Sequence, residues 1–399
     1  MEPNAHPLPP FVGRETAFSR LQQHLTHPTS AVLFLGRRQI GKTALLRQFA
    51  TLPGIVGLYM PLRHLSLRTE DLWLNALIET TIANAQAHQL LPTMLEVPAG
   101  EPLRTWYTDT CLPVLMRMAR HQWRFLLLLD DIEVMAEAVT AGHLPADTFT
   151  FLHSLINPQV GMVLTTDLQH EDRVTALAPL VDARMVHRLT SLPYAESALL
   201  FPEAPVETLN SVYQATGGEP VLLQQYRALV PDMTSTTPED IKQLNLEIYN
   251  QNEQVLELAW RQLNRNERLV LTAISSLRYR DPLGRIDTAK IENWMVETDY
   301  PLDATAINAA LRGLEYDDLV EASVTDVKIN AGLMQKWLLE NALLGIEAPR
   351  EPGAAFPTRF VVVAVVVALV MIAVMAVLLT TNEREPAPMI PTVTLLPNE

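Results

Sequence analysis

Thirteen consecutive residues, Ala31-Val-Leu-Phe-Leu-Gly-Arg-Arg-Gln-Ile-Gly-Lys-Thr43, constrain this chain more than any other stretch. The run 31–35 is wholly apolar and reads as a buried strand. It passes directly into G-x-x-x-x-G-K-T, with Gly36, Gly41, Lys42 and Thr43 at the defining positions. Leu45, Leu46, Phe49 and Ala50 then fall on one face of a helix. Strand, glycine-framed loop and helix N-terminus, in that order, make a cradle for phosphate. Backbone N–H groups of the loop, Ile40 and Ala44 among them, converge on phosphate oxygens, and the helix dipole favours the negative charge. Lys42 can set its ammonium between the β- and γ-phosphates of ATP, and the Thr43 hydroxyl can ligate Mg²⁺.

Such a loop needs an acid on a neighbouring strand to hold Mg²⁺. Phe125-Leu-Leu-Leu-Leu-Asp-Asp131 offers one, with two carboxylates where a buried strand should emerge. Asp130 is the expected Mg²⁺ partner. Asp131 stands where a general base or water-orienting acid is expected, and Glu133 reads as a cap of the following helix. Further strands are read at 55–60, 161–166 and 184–189. Strands alternating with amphipathic helices imply a parallel sheet, covered on both faces, that binds ligand at the strands' carboxyl ends. Thr165, Thr166 and Asp167 then lie near the γ-phosphate or serve as strand-end turn residues.

Four segments carry a resemblance. Gly36 to Thr43 resembles the G-R-R-x-x-G-K-[ST] loop of the archaeal-type ATPase group, which belongs with the AAA+ and STAND (signal-transduction ATPases with numerous domains) NTPases. Phe11-Val-Gly-Arg-Glu15 resembles the box that opens this class, which implies that Val12 and Gly13 lie by the adenine. A helix with a stripe of Ala17, Phe18, Leu21 and Leu25 follows it. Asp130-Asp131 resembles the D-D form of the acidic strand in STAND proteins. Gly217-Gly-Glu-Pro220 resembles the G-G-x-P motif of the lid, which implies that Pro220 sits near the nucleotide. The resemblance spans roughly residues 11–345. Where AAA+ proteins have Asp-Glu this chain has Asp-Asp, and the shorter side chain reaches ~1.5 Å less far, so slow turnover is expected. Arg173, Arg184 and Arg188 follow the fourth strand, where an arginine finger could arise, but each reads as a solvated or strand-edge residue.

Residues 205–263 read as helical with a break at 231–238. Helices at 264–279, 287–296 and 303–319, a strand pair within 320–329 and a helix at 333–344 follow in winged-helix order. Segment 264–345 holds nine Lys and Arg against thirteen Asp and Glu, and its third helix sets Arg312 against Asp303, Glu315, Asp317 and Asp318. The whole chain is acidic too, with a formal charge of −15. Nucleic acid is therefore not an expected partner, and Trp294 and Trp337 read as core anchors. The one cysteine, Cys111, excludes an internal disulfide and a cysteine-based zinc site.

Residues 1–10 lack the basic and apolar regions of a signal peptide and read as a flexible arm. Phe360 to Thr380 contains no charge, glycine or proline. At about 1.5 Å per residue it spans ~31 Å, the thickness of a bilayer core. It reads as a single transmembrane helix. Arg350 and Arg359 precede it and none but Arg384 follows, which places the N-terminal part in the cytoplasm.

The expected organisation is thus an arm (1–10), an α/β P-loop ATPase core with a parallel sheet (11–200), a helical lid (201–263), a winged-helix-like domain (264–348), a linker (349–359), a membrane helix (360–380) and a disordered tail (381–399). The expected function is a membrane-anchored, slow ATPase acting as a nucleotide-dependent signalling or assembly switch. ATP closes the lid and winged module over the loop, and the output is a protein partner or self-association. The alternatives are a non-hydrolysing ATP-binding scaffold and an origin-recognition-like DNA-binding ATPase.

Overall fold

The computed structural model describes residues 11–91, 95–97, 100–119, 122–168, 175–230, 233–300, 302–323 and 325–342. The expected arm, linker, membrane helix and tail lie outside the described residues, as do Arg173 and residues 343–348. Among the described residues no helix is long and apolar enough to cross a membrane.

Four apolar runs and one short polar segment pair as one parallel sheet: β1 (Val32–Gly36), β2 (Ile55–Pro61), β3 (Arg124–Asp130), β4 (Val160–Asp167) and, the polar one, β5 (Val186–Arg188). Their order is β2-β3-β4-β1-β5. The fifth strand is shorter than expected because 183–185 is wound into a 3₁₀ turn. Alternation along each strand divides the core into two layers. Val32, Phe34, Leu126, Leu128 and Val163 face α1 (Glu15–Thr26) and α2 (Lys42–Ala50). Leu33, Leu35, Leu127, Leu129 and Leu164 face a layer built by α3 (Glu70–Ala87), α4 (Leu103–Trp106), α5 (Leu112–Ala119), α6 (Glu133–Thr140) and α7 (Thr148–Ser154). A π turn, Tyr107–Cys111, joins α4 to α5. Pro113, with no N–H to give to the preceding turn, accounts for the widened winding there.

One buried imidazole couples this core to pH. His24 of α1 is 1% exposed, and its Nε2 accepts the Met162 N–H of β4 at 3.3 Å. Burial holds its pKa down to about 4, against 6.5 when free. The unfolded chain therefore takes up the proton first. Stability should be full above pH 6.5, fall as the pH drops toward 4 and level off below that. The expected loss at pH 5 is about 2 kcal/mol. His24→Gln keeps an acceptor for Met162 and should remove most of the difference between denaturation midpoints at pH 7 and pH 5, followed by tryptophan fluorescence. An unchanged pH dependence would refute the assignment.

The remaining helices, α8 (Tyr194–Ala198), α9 (Val206–Thr216), α10 (Pro220–Leu229), α11 (Pro238–Gln262), α12 (Arg265–Arg280), α13 (Thr288–Glu297), α14 (Ala304–Tyr316) and α15 (Gly332–Asn341), share a second core with the antiparallel hairpin β6 (Val320–Ala322) and β7 (Val327–Ile329). Thr237 and Asn264 close capping boxes, and Asp287 and Asp303 cap by accepting N–H bonds. Lid and terminal module are thus one packed body, in which Leu223, Ile248, Trp260, Ile274, Leu314, Trp294 and Trp337 are buried. Gly217 and Gly218 make the turn into α10 with φ of +60° and +79°. A Cβ on Gly218 would strike the Leu192 carbonyl and one on Gly217 the Asn330 backbone, so only glycine fits at either position.

Candidate functional site

The carboxyl ends of β1, β3 and β4 deliver Gly36, Asp130 and Thr165 to Asp167 to one edge of the sheet. The β1–β4 register sets Leu35 beside Thr166 and Gly36 beside Asp167. The strand of Asp130 is not the neighbour of β1 that the sequence led us to expect, because β4 lies between them. An apolar run marks a strand as buried without giving its place in the sheet.

Asp130 nonetheless reaches the loop. Thr43 Oγ1 donates to its Oδ2 at 2.6 Å, Tyr59 Oη donates to the same oxygen at 2.9 Å, and Thr165 Oγ1 donates to Oδ1 at 2.5 Å. The carboxylate is 3% exposed, and these three hydroxyls, from α2, β2 and β4, meet its hydrogen-bonding demand. Burial and the Asp130 charge push the Tyr59 phenol up to about 12, so it stays a donor.

Gly41, with φ of +97°, turns the loop into α2. Lys42, the first helical residue, folds back so that Nζ donates to the carbonyls of Gly36 at 2.7 Å and Arg37 at 2.9 Å. Burial lowers the lysine pKa, while the charges of Asp167, Asp131, Glu133 and Asp130 act to raise it. Thr43 and Ala44 are exposed at the helix start, and Ile40 is fully buried beneath the loop.

The two following acids depart from expectation. Asp131 has φ of +60°, and its side chain turns to Arg63, whose Nε donates to Oδ2 at 2.7 Å. Glu133 caps nothing. It is 2% exposed, with Oε2 accepting from Thr166 Oγ1 at 2.8 Å and Oε1 from Arg63 Nη2 at 2.6 Å. The left-handed turn at Asp131, whose N–H donates to Thr165 Oγ1 at 3.1 Å, swings the chain so that the side chain two residues further on, not that of Asp131, points back at β4. Thr165 and Thr166 therefore serve the carboxylates, Thr165 also holding the turn after β3 by accepting from Asp131 N–H and Ile132 N–H, and Asp167 pairs with Arg38 at 3.2 Å. Arg63 escaped the sequence reading. Its position just past the carboxyl end of β2 was the available signal, since every chain leaving that edge of a parallel sheet enters the site.

The box at 11–15 is tied to the loop by Arg14, which was given no role from sequence. It is 9% exposed, and its Nη2 donates to the Ile40 carbonyl at 2.7 Å and Nη1 to the Thr190 carbonyl at 2.5 Å. Its N–H donates to Glu196 Oε2 at 2.8 Å, and Glu196 packs so closely on Gly13 that a side chain there would collide. Val12 packs against the second core, and Pro220 opens α10 directly after Glu219, which meets Arg37 of the loop. The structure thus joins Thr43, Asp130, Asp131 and Thr166 in one network through Thr165, Arg63 and Glu133, and sets Lys42, the chain neighbour of Thr43, on the Gly36 carbonyl. It ties the segments of Gly13 and Pro220 to the loop through Arg14 and Glu219, with Val12 on the second core. Arg184 pairs with Asp182 in solvent, and Arg188 stacks on Tyr316 at 4.2 Å. Among the described residues no group of three or more His, Cys, Asp or Glu could by itself hold a metal ion.

No protein-family model matches this sequence, and no curated protein matches it. Among solved structures, the chain is similar to the Walker-type ATPase PABY2304 of Pyrococcus abyssi, with a TM-score of 0.53 and 17% identity over 84% of this chain and 99% of that one. At that identity the likeness shows the fold, an α/β P-loop architecture on a five-stranded parallel sheet. Cdc6p from Pyrobaculum aerophilum (15% identity, 85% and 97% covered) and the Aeropyrum pernix ORC1 protein in complex with DNA (17%, 84% and 94%) align with TM-scores of only 0.34 and 0.35, too low to carry an argument.

Proposed function

We propose that this chain binds ATP with Mg²⁺ at residues 36–44, hydrolyses it slowly, and uses the bound state as a switch at a membrane that it enters through residues 360–380. The observation that carries this reading is the bonded set Thr43–Asp130–Thr165 beside a Lys42 held on its own loop. Mg²⁺ suits this chemistry, because the acids that act on Lys42 (Asp130, Asp131, Glu133 and Asp167) exceed Lys42, Arg38 and Arg63 by one charge. Thr43 and Asp130 would hold the ion, which would supply charge neutralisation at the β- and γ-phosphates. The loop amides and Lys42 would bind phosphate oxygens, Val12 and Gly13 would flank the base, with Pro220 beside it only while the lid is docked, and Thr166 would hold a carboxylate toward the terminal phosphate.

Glu133 takes the water-orienting role in this reading in place of Asp131. It is the longer acid, it is shielded from bulk water, and it is anchored by Thr166 of β4. Its engagement with Arg63 fits low turnover, since the Oε1 that accepts from Arg63 is not free to take a proton from water until that contact breaks. The output would be a protein contact or self-association. The direct test measures ATP binding by the full chain with Mg²⁺ and with a chelator, together with phosphate release. Saturable, Mg²⁺-strengthened binding with slow release is expected, and absence of binding at millimolar ATP would end the reading.

A second reading, contact with duplex DNA through the groove between α14 and the hairpin, is favoured by one observation. Of the acids counted against it, Asp303 is consumed as a cap and Asp318 faces the ATPase core. The polar lining of the groove is Asp287, Thr288, Thr305, Asn308, Arg312, Glu315 and Ser323. With no surplus of cations there, we rank it second.

A further inference from the structure

Arg37 is the second residue of the phosphate loop and lies outside Gly36, Gly41, Lys42 and Thr43, the positions that define G-x-x-x-x-G-K-T. Its carbonyl accepts from Lys42, while its guanidinium serves two other segments. Nη2 lies 2.7 Å from Glu219 Oε2, at the head of α10, and 3.9 Å from Asp318 Oδ2, just past α14. Asp318 is itself fixed: its φ is +58°, its Oδ2 accepts the Ser191 N–H at 2.6 Å, and its carbonyl accepts from Asn330 at 3.0 Å. None of the three charged side chains is more than 20% exposed. Lid, terminal module and the segment leaving β5 thus meet on one loop arginine.

We infer that Arg37, Glu219 and Asp318 form a charge clasp that holds the lid and terminal module on the loop in the absence of nucleotide and that a polyphosphate opens by competing for Arg37. The inference rests on the proposed ATP site and gives its regulation. A nucleoside triphosphate would bring several negative charges beside the carbonyl that Arg37 already lends to Lys42. Glu219 and Asp318, which share the Arg37 guanidinium and also feel the charge of Arg14, would then face like charge at short range. Ligand binding would therefore oppose docking, the reverse of closure by ATP expected from sequence. By linkage, whatever loosens the clasp must tighten nucleotide binding.

The test uses the full chain in detergent and two isosteric variants, Asp318→Asn and Glu219→Gln. Asparagine tolerates the left-handed backbone and keeps an acceptor for Ser191. Each variant should bind ATP about three- to tenfold more tightly than the unaltered chain. Amide hydrogen exchange at 314–319 and 219–223 should rise on adding ATP to the unaltered chain, and should already be raised in Asp318→Asn without it. A merely structural role would weaken ligand binding, so tightening is diagnostic. Unchanged or weaker affinity in both variants, or protection of these segments by ATP, would overturn the clasp while leaving the ATP site intact. Failure of the unaltered chain to bind ATP would remove the site, and the clasp with it.

Discussion

Lys42→Ala is expected to weaken ATP binding by the full chain at least a hundredfold, about 2.7 kcal/mol, with Mg²⁺ present. The lysine is 8% exposed, and both of its hydrogen bonds run to loop carbonyls, those of Gly36 and Arg37. Its ammonium is therefore an integral part of the cradle. Removing it takes the strongest local positive charge from a place where four carboxylates already act, and a polyanion entering that field would lose its principal counter-charge. Lys42→Arg should restore little, because a planar fork cannot point where a compact ammonium does. Equilibrium dialysis with labelled ATP measures the effect, and thermal unfolding of the same samples separates lost affinity from lost fold. Equal binding by Lys42→Ala and the unaltered chain would exclude residues 36–44 as the nucleotide site.

The second large effect distinguishes two neighbouring acids. Glu133→Gln should lower phosphate release about 10²- to 10³-fold with ATP affinity changed little, whereas Asp131→Asn should lower it less than tenfold. Glutamine keeps an acceptor for Thr166 but gives up the charge and the acceptor for Arg63, so thermal unfolding of the same variant separates chemistry from packing. Asp131 is 24% exposed in its side chain, which is committed to Arg63, while only its backbone N–H reaches β4, donating to Thr165 Oγ1 at 3.1 Å. The reverse ranking, with Asp131→Asn the more damaging, would return the role to the residue the sequence favoured. Single-turnover phosphate release is the appropriate measurement, because it is insensitive to slow product loss.

Much of the scaffold was legible from residues alone. Uninterrupted apolar runs placed four strands to within two residues, and the helix starts read at 264, 287 and 303 fall on the caps Asn264, Asp287 and Asp303, because a helix end must satisfy its orphan N–H groups locally. Gly36, Gly41, Lys42 and Thr43 were recognisable for the same reason: a cradle of backbone amides requires particular residues at short spacing. The role of Glu133 was not legible, since the sign of φ at Asp131 decides which carboxylate turns inward, and aspartate adopts either sign. Nor could the acids of the third module helix be weighed as a sum. Composition counts Asp318 against nucleic acid, while the structure spends it on Arg37.

From its sequence alone this chain was committed to a strand, a phosphate-cradling loop and a helix, because those interactions lie between near neighbours and are encoded in residue order. Tertiary structure alone decided that β4 would stand between β1 and β3, that Arg63 would grip two acids, and that Arg37 would face Glu219 and Asp318. Each of those contacts joins residues dozens to hundreds of positions apart. Only the packing of two cores, which buries apolar surface without regard to sequence distance, brings such partners within a hydrogen bond's reach.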